Sequence, residues 1–588
     1  MAIRPSSASP AISIEALPRE LQAPILRGLR WTLWLSALAM PLGYCTRLML
    51  ARTGPQVIGA FGLLLIYVRL VSTFLLLGGN AVLIQFLPQL PPERRRAFLL
   101  EYGAIVLLAL APWFAVAWLW PAALKLLFGP VGGARFQVIL IWLSPIYIAL
   151  SLSTAALKGI LEIALAQVLG RAVTVGSFAI YAVLFFAARP ILAHDYLVLI
   201  WGIYLTLAAV SAGFGLRLFW RHTPPTAPRG LPPFWTRVLR RGANEAPATP
   251  IAPPHPLLSH AAGLTSKPFE RGEGRAGRGG SSEGDAAYTQ VREEPERGAN
   301  EAPATPIAPP KPWALPPGFW RYTLSLQGNS AIGFLSASLD SLLVLHWGGL
   351  RQLGMYVALM TLVTIIPTLL DLLLDTLLPS LTHAIAHGGR PAMTGLNEAA
   401  SRVLFLAALA LATTMTLFAA PLVALFGPAY QGLAPMLRFA APVAAILAAS
   451  HLYNTIFSAI GQPQRSTVAQ SVRLAVFVLL FAPLWHAHGL AGAVWAWAAS
   501  EMAHHFASLY FVRRGGLHLP FPRGYVLLWL GLAAGGGLAL AAPHLPYAWA
   551  AIVAIGIIGG YTLAAGYRPA QIRAFLRLML PGAALHSA

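Results

Sequence analysis

Three arginines sit where a permanent charge is expensive. Arg47 ends the apolar segment at about 31–50, Arg52 follows it, and Arg69 lies within the next apolar segment at about 57–79. A guanidinium cannot shed its proton. Holding one in the middle of an apolar helix costs about 2.5–3.5 kcal/mol on insertion scales. Such a residue faces a wet cavity or an anion, and its forked donors suit the paired oxygens of a diphosphate. Arg47, Arg69 and Arg52 are therefore candidate diphosphate ligands in a polar chamber between two helical bundles. The plainer alternative for Arg47 and Arg52 is snorkelling to the membrane surface; Arg69 is too deep for that.

Acids in apolar segments form a second set. Asp340, Asp371 and Glu501 are candidates for coupling to a cation or a proton. Asp371 and Asp375 are four residues apart on one helix face, where like charges repel. Glu501 has His504 and His505 beside it, and histidine titrates near neutral pH. A hydrogen bond at the interface accounts for that group equally well. No P-loop and no His-Glu-x-x-His run occurs, so no nucleotide, metal, catalytic residue or cofactor is expected. Cys45 is the single cysteine, which excludes an intrachain disulfide.

The elements that must position these residues are membrane helices. Hydrophobic residues make up 57% of the 588 and charged residues 10%, against about 25% in soluble domains. Mean hydropathy is +0.66. Repeated apolar runs of helical length exclude a β-barrel. The net charge of +21 is a topology signal and carries no expectation of nucleic-acid binding. No cleaved signal peptide is expected, because the first apolar segment is too long for one.

The chain divides into a loose arm at 1–30, six apolar segments over 31–220, a Pro- and Gly-rich linker at 221–318, six more segments over 319–512, and two final segments with a tail over 513–588. The linker composition predicts disorder. It repeats one 14-residue string, Arg241–Pro254 and Arg297–Pro310, read as a duplication under little constraint. Alternate short loops carry ten basic residues against five. By the positive-inside rule, both termini and the linker are expected to be cytoplasmic. The expected fold is an all-α integral membrane protein of about 14 transmembrane helices: two pseudo-symmetric six-helix lobes in parallel repeat, plus two C-terminal helices.

The repeat rests on words at a near-constant offset. Leu-Phe-Gly-Pro occurs at 127–130 and 425–428, each time before a helix with an early proline, Pro145 or Pro442. Gly59-Ala60-Phe61 matches Gly354-Met355-Tyr356, Leu87-Pro88 matches Leu378-Pro379, and Gln167 with Arg171 matches Gln470 with Arg473. Parallel repeats of this kind build carriers that rock two bundles about a midplane site.

With the arginines before the Gly-x-aromatic start of segment two, Asp340 ahead of Gly354-Met355-Tyr356, Leu-Leu-Pro-Ser-Leu at 377–381, Leu-Phe-Gly-Pro-Ala-Tyr at 425–430 and Ile-Gly-Gln-Pro at 460–463, the chain resembles the polysaccharide flippases of the multidrug/oligosaccharidyl-lipid/polysaccharide exporter superfamily. The resemblance covers nearly all of it except the linker and is nearest to the O-unit and exopolysaccharide-repeat flippases. It implies two lobes in a V, with the last two helices at the C-terminal edge. In the lipid II branch those helices form a groove for the polyprenyl tail. Here they carry Gly531-x-x-x-Gly535 and Gly556-x-x-x-Gly560, a spacing read as close helix packing. The linker is longer than the family pattern. Segment eleven has Gln470 and Arg473 where the sodium-coupled branch has an acid.

The implied function is translocation of polyprenyl-diphosphate-linked oligosaccharide across the bacterial inner membrane, without enzymatic chemistry. The partners would be that lipid-linked oligosaccharide, membrane lipids, and a polysaccharide polymerase or glycosyltransferases. Two rivals stand beside it: a MATE-type exporter of organic cations, and a membrane-embedded O-antigen polymerase or glycosyltransferase. The first calls for an acidic, aromatic chamber. The second calls for an acid in the first outer loop, which 52–56 lacks, or for a large outer loop.

Overall fold

The computed structural model describes residues 19–76, 80–87, 90, 92–119, 134–160, 162–223, 319–460, 462–515 and 521–567. The linker, with its duplicated string, and the first Leu-Phe-Gly-Pro lie outside them. All regular structure among the described residues is helical, apart from turns. The first half contains α1 (Arg19–Thr53), α2 (Pro55–Phe74), α3 (Asn80–Phe86), α4 (Pro92–Leu119), α5 (Ala134–Gly159), α6 (Ile163–Ala187), α7 (Arg189–His194) and α8 (Tyr196–His222). The second contains α9 (Phe319–Val363), α10 (Ile365–Leu417), α11 (Ala419–Ala424), a 3₁₀ turn at Pro428–Leu433, α12 (Ala434–Ala459), α13 (Pro463–His488), α14 (Leu490–Arg514), α15 (Pro522–Ala541) and α16 (Tyr547–Ala564).

Eleven helical stretches among the described residues are long and apolar enough to cross a membrane. The expectation of about fourteen differs for physical reasons. Ser330–Leu370 is one stretch of 41 residues that holds parts of two expected segments, turning at Gly349, whose φ of 70° suits glycine. The first expected segment lies in α1, and α14 carries Glu501, His504 and His505; neither belongs to the eleven. Two boundaries also move. The arm, read as loose with a short surface helix at its end, is helical from Arg19 and continuous with the first apolar segment, with Pro24 removing one backbone donor near its start. The backbone of α10 stays helical from Ile365 to Leu417, across the expected loop near residue 390.

The packing repeats between halves. In the first half α1 packs on α6, and α5 on α8. In the second, α9 meets α13 through Trp347 and Phe481, ring centroids 5.2 Å apart, and α12 packs on α14. First with fifth and fourth with sixth thus recur in both lobes, which is the parallel repeat expected from the sequence. Each lobe has its own interior. Leu150, Val173, Ala208 and Ala212 form one apolar cluster of the first lobe. There α2 is buried nearly all round, and the Tyr67 hydroxyl donates to Leu140 O at 2.8 Å and lies 2.5 Å from Ser144 Oγ. Tyr67→Phe strips these partners of a buried hydroxyl and is expected to lower stability by about 1–3 kcal/mol, read as a shift in the denaturation midpoint.

The last two helices pack on α10, and α15 also packs on α12. A Cβ at Gly531 would meet Leu409 at 2.8 Å, and one at Gly535 would meet Thr413 at 3.6 Å and Ile557 at 3.7 Å. Close packing therefore holds for the first small-residue pair. Gly556 and Gly560 have nothing within 4 Å, so the second pair mediates no contact among the described residues.

Candidate functional site

Where the lobes meet, α1 and α2 face α9 and α10. Arg69, an exposed residue on a helix otherwise buried nearly all round, turns toward the other lobe. Its Nη1 lies 3.3 Å from Ala337 O and 3.5 Å from Ser338 Oγ, both on α9. These are long hydrogen bonds, and a better acceptor would displace them. Arg47 is half-buried, with its guanidinium carbon 5.6 Å from the Tyr44 ring centroid. It lies within electrostatic reach of Arg69. Arg69 in turn influences Tyr147 of α5, and the Tyr44 hydroxyl reaches Thr364 and Thr368 in the second lobe. Arg47, Arg69 and Tyr44 thus border the space between the lobes, while Tyr147 packs against the apolar cluster of the first lobe. Among the described residues, neither Arg47 nor Arg69 takes part in any of the ion pairs.

Arg52 is used differently. Its Nε donates to Leu425 O of the second lobe at 2.8 Å, while its own carbonyl accepts from Arg189. Tyr430 returns a bond across the same gap, its hydroxyl donating to Ala51 O at 3.2 Å. Close by, the two glycines matched in the repeat cross each other. A Cβ on Gly59 would lie 2.3 Å from Leu350 O, and one on Gly354 would lie 1.7 Å from Pro55 O. Each imagined Cβ would also be 3.2 Å from the other glycine's nitrogen. This reciprocity places the repeat-related helices in direct backbone contact at the Arg52 end of the lobe interface. Toward the other end of α2, Gln327 Nε2 donates to Thr73 O at 2.6 Å, and the Phe74 and Phe334 rings are 5.4 Å apart.

The acids form a separate centre inside the second lobe. Asp340 accepts from the Tyr356 hydroxyl at 2.7 Å and from the Ser341 backbone N–H at 2.6 Å. Arg473 of α13 pairs with Glu501 of α14 at 2.5 Å, and His504 Nδ1 is 3.7 Å from the same carboxylate. Glu501 and His504 are 1% and 3% exposed, so their polar neighbours belong to the protein. The adjacent His505 turns away, its Nδ1 2.9 Å from Ser450 Oγ and its Nε2 2.6 Å from the Tyr525 hydroxyl. The Asp371 side chain lies outside the described residues. Among the described residues no group of three or more His, Cys, Asp or Glu side chains could hold a metal ion.

Sequence reasoning named Arg473 and Glu501 separately and missed that they pair. It also missed the Asp340–Tyr356 bond, although Tyr356 belongs to a repeat word; helical spacing does not reveal a contact across a kink. Cutting the ion pair leaves a buried charge alone. Glu501→Ala is expected to cost about 3–5 kcal/mol, more than the Arg473→Met/Glu501→Leu double substitution, in denaturant unfolding of the purified protein.

The fold is similar to those of solved transporters of the MOP superfamily. The chain matches a multidrug resistance MATE family transporter of that superfamily in an inward-facing conformation, with 12% identity and a TM-score of 0.55, over 81% of this chain and 93% of that one. It matches the lipid II flippase MurJ in an inward closed conformation, with 9% identity and a TM-score of 0.61, over 90% and 97%. A third match is a MOP superfamily transporter from Pyrococcus furiosus described by the reverse polarity of its binding pocket, with 11% identity and a TM-score of 0.50, over 84% and 94%. No family model and no curated protein sequence matches the chain.

Proposed function

We propose that this protein is a flippase that carries polyprenyl-diphosphate-linked oligosaccharide repeat units from the inner to the outer leaflet of a bacterial inner membrane. The observation that carries this reading is the pairing of Arg47 and Arg69 at the lobe interface, outside every ion pair among the described residues. Two neighbouring guanidiniums repel unless an anion joins them. At an effective dielectric of 20, each cation–anion pair at 4 Å gains about 4 kcal/mol. A diphosphate supplies that anion while its polyprenyl tail stays in lipid. Charge asymmetry of the loops supports an orientation with the Arg52 end outside and both termini inside. In the proposed cycle, the headgroup enters between the lobes from the cytoplasmic side and displaces the weak Arg69 contacts on α9. The contacts at Arg52, Tyr430, Gly59 and Gly354 then part to release it outward.

Export of an organic cation, as the multidrug resistance relatives suggest by name, fits less well, because the substrate would meet two guanidiniums. The test is reconstitution of the full chain into liposomes carrying a fluorescent polyprenyl-diphosphate sugar on one leaflet. Accelerated exchange of that lipid, with no efflux of a rhodamine-type cation, supports the reading. Cation efflux without lipid exchange would replace it with the multidrug reading.

A further inference from the structure

The space between the lobes holds two kinds of polar group with opposite preferences. Arg47 and Arg69 are guanidiniums, which donate hydrogen bonds and accept none. Tyr44 lies three residues before Arg47 on the same face of α1, about 4.5 Å away along the helix axis. Its hydroxyl reaches Thr364, between α9 and α10, and Thr368, in the first turn of α10.

The bonds that the two threonines already make decide what they can recognise. Thr364 Oγ1 donates to Met360 O at 2.7 Å, and Thr368 Oγ1 donates to Thr364 O at 2.6 Å. A hydroxyl has one proton, and in each case it is committed to the carbonyl one turn back. Only lone pairs are left to offer. The Tyr44 hydroxyl is therefore the donor in this group, and one phenol proton serves one threonine at a time. Thr364 is half-buried and Thr368 exposed, so acceptor capacity is left over beside Tyr44. A phosphate oxygen placed there would set lone pair against lone pair. A sugar O–H or an acetamido N–H supplies the missing proton and takes the place of the Tyr44 hydroxyl.

We infer that Thr364 and Thr368 read the sugar attached to the diphosphate, and that they select the glycosylated lipid over the same lipid without donor hydroxyls. Donor-only guanidiniums and acceptor-only hydroxyls, about one helical turn apart, match a ligand in which an anionic diphosphate is joined directly to a neutral, donor-rich group. The inference rests on the flippase reading and adds specificity-determining residues to it. Tyr44 covers the two acceptors while no sugar is there and yields them when one arrives. A diphosphate lipid stripped of its sugar finds no partner in this corner.

The test is protein-dependent exchange in liposomes of two fluorescent short-chain polyprenyl diphosphates. One bears a hexose with free hydroxyls, the other the same hexose fully O-methylated, which keeps the ring and the diphosphate and removes every sugar donor. The parent protein is expected to exchange the free-hydroxyl lipid about tenfold faster. The Thr364→Val/Thr368→Val double substitution keeps the β-branched shape and deletes both acceptors. It is expected to bring the ratio close to one by slowing the free-hydroxyl lipid alone. Thr368→Val by itself, at an exposed residue, is expected to lower the ratio part of the way without a cost to folding. Tyr44→Phe is expected to keep the ratio, because Tyr44 only covers acceptors that the sugar takes over. Equal exchange of the two lipids by the parent, a ratio retained in both valine variants, or its loss in Tyr44→Phe would overturn the inference and leave the flippase reading in place. A parent that moves neither lipid would remove that reading, and the inference with it.

Discussion

Gly354→Val is expected to abolish transport while leaving the helices folded. The two repeat-related glycines let α2 and the second arm of α9 approach until backbone touches backbone. A Cβ at Gly354 has its nearest neighbour, Pro55 O, at 1.7 Å, so no rotamer relieves the clash and the helices must move apart. Overpacking of this kind costs about 1–3 kcal/mol, which is enough to empty one of two states separated by a similar gap. The lobes then stay parted at the Arg52 end. In a Cys45→Ala background, spin labels at Gln56→Cys and Gln431→Cys, exposed positions on either side of the lobe contact, read this as a longer distance, and lipid exchange in liposomes falls to background. Gly59→Val, facing Leu350 O at 2.3 Å, is expected to act in the same direction. Gly537→Ala meets nothing within 4 Å and serves as the silent control. Normal exchange by both valine variants would remove this crossing from the transport cycle.

Arg69→Ala carries the next largest effect. In the flippase reading Arg69 exchanges two long bonds to α9 for charge-assisted bonds to a diphosphate. A bond to a charged group contributes about 1.5–3 kcal/mol, so its loss lowers diphosphate lipid exchange about 10–100-fold. Arg47→Ala is expected to fall in the same range, and the double substitution to reach background. Arg69→Lys keeps the charge but loses the fork, and is expected to recover only part of the rate. The folded state should change little, because Arg69 is exposed at the interface and its contacts at 3.3 and 3.5 Å are long. Cells carrying the alanine variants should accumulate lipid-linked glycan on the inner leaflet. Unchanged exchange by the double variant would eliminate the diphosphate clamp.

Much of the architecture was legible because its causes are local. Apolar length gives membrane helices, and the repeat words at a constant offset foretold two lobes. Gly59 and Gly354 were found as matched letters; that they touch each other could not be read from spacing, since a pseudo-symmetry axis has no local signature. The arginines were visible because charge in an oily span is costly wherever it points. Their partners were not visible: Arg52 with Leu425 O, Arg69 with Ser338, and Arg473 with Glu501 are joined across 28 to 373 residues of chain. The expected close packing at Gly556 and Gly560 shows the opposite risk, where a motif tied to contact faces open space.

The anchoring of α15 and α16 has one more consequence. Arg402 lies over the Phe521 ring at 4.2 Å and its carbonyl accepts from Tyr567, Arg438 Nη2 donates to Pro543 O at 2.8 Å, and Tyr525 is held by His505. Both ends of the hairpin and its first turn are riveted to α10, α12 and α14. The two lobes are therefore unequal: among the described residues the second bears two added helices, α15 and α16, that the first does not match. Trimming the chain after residue 515 would strip a wall from the heavier partner, so a shortened protein should lose cohesion there before it loses any optional accessory.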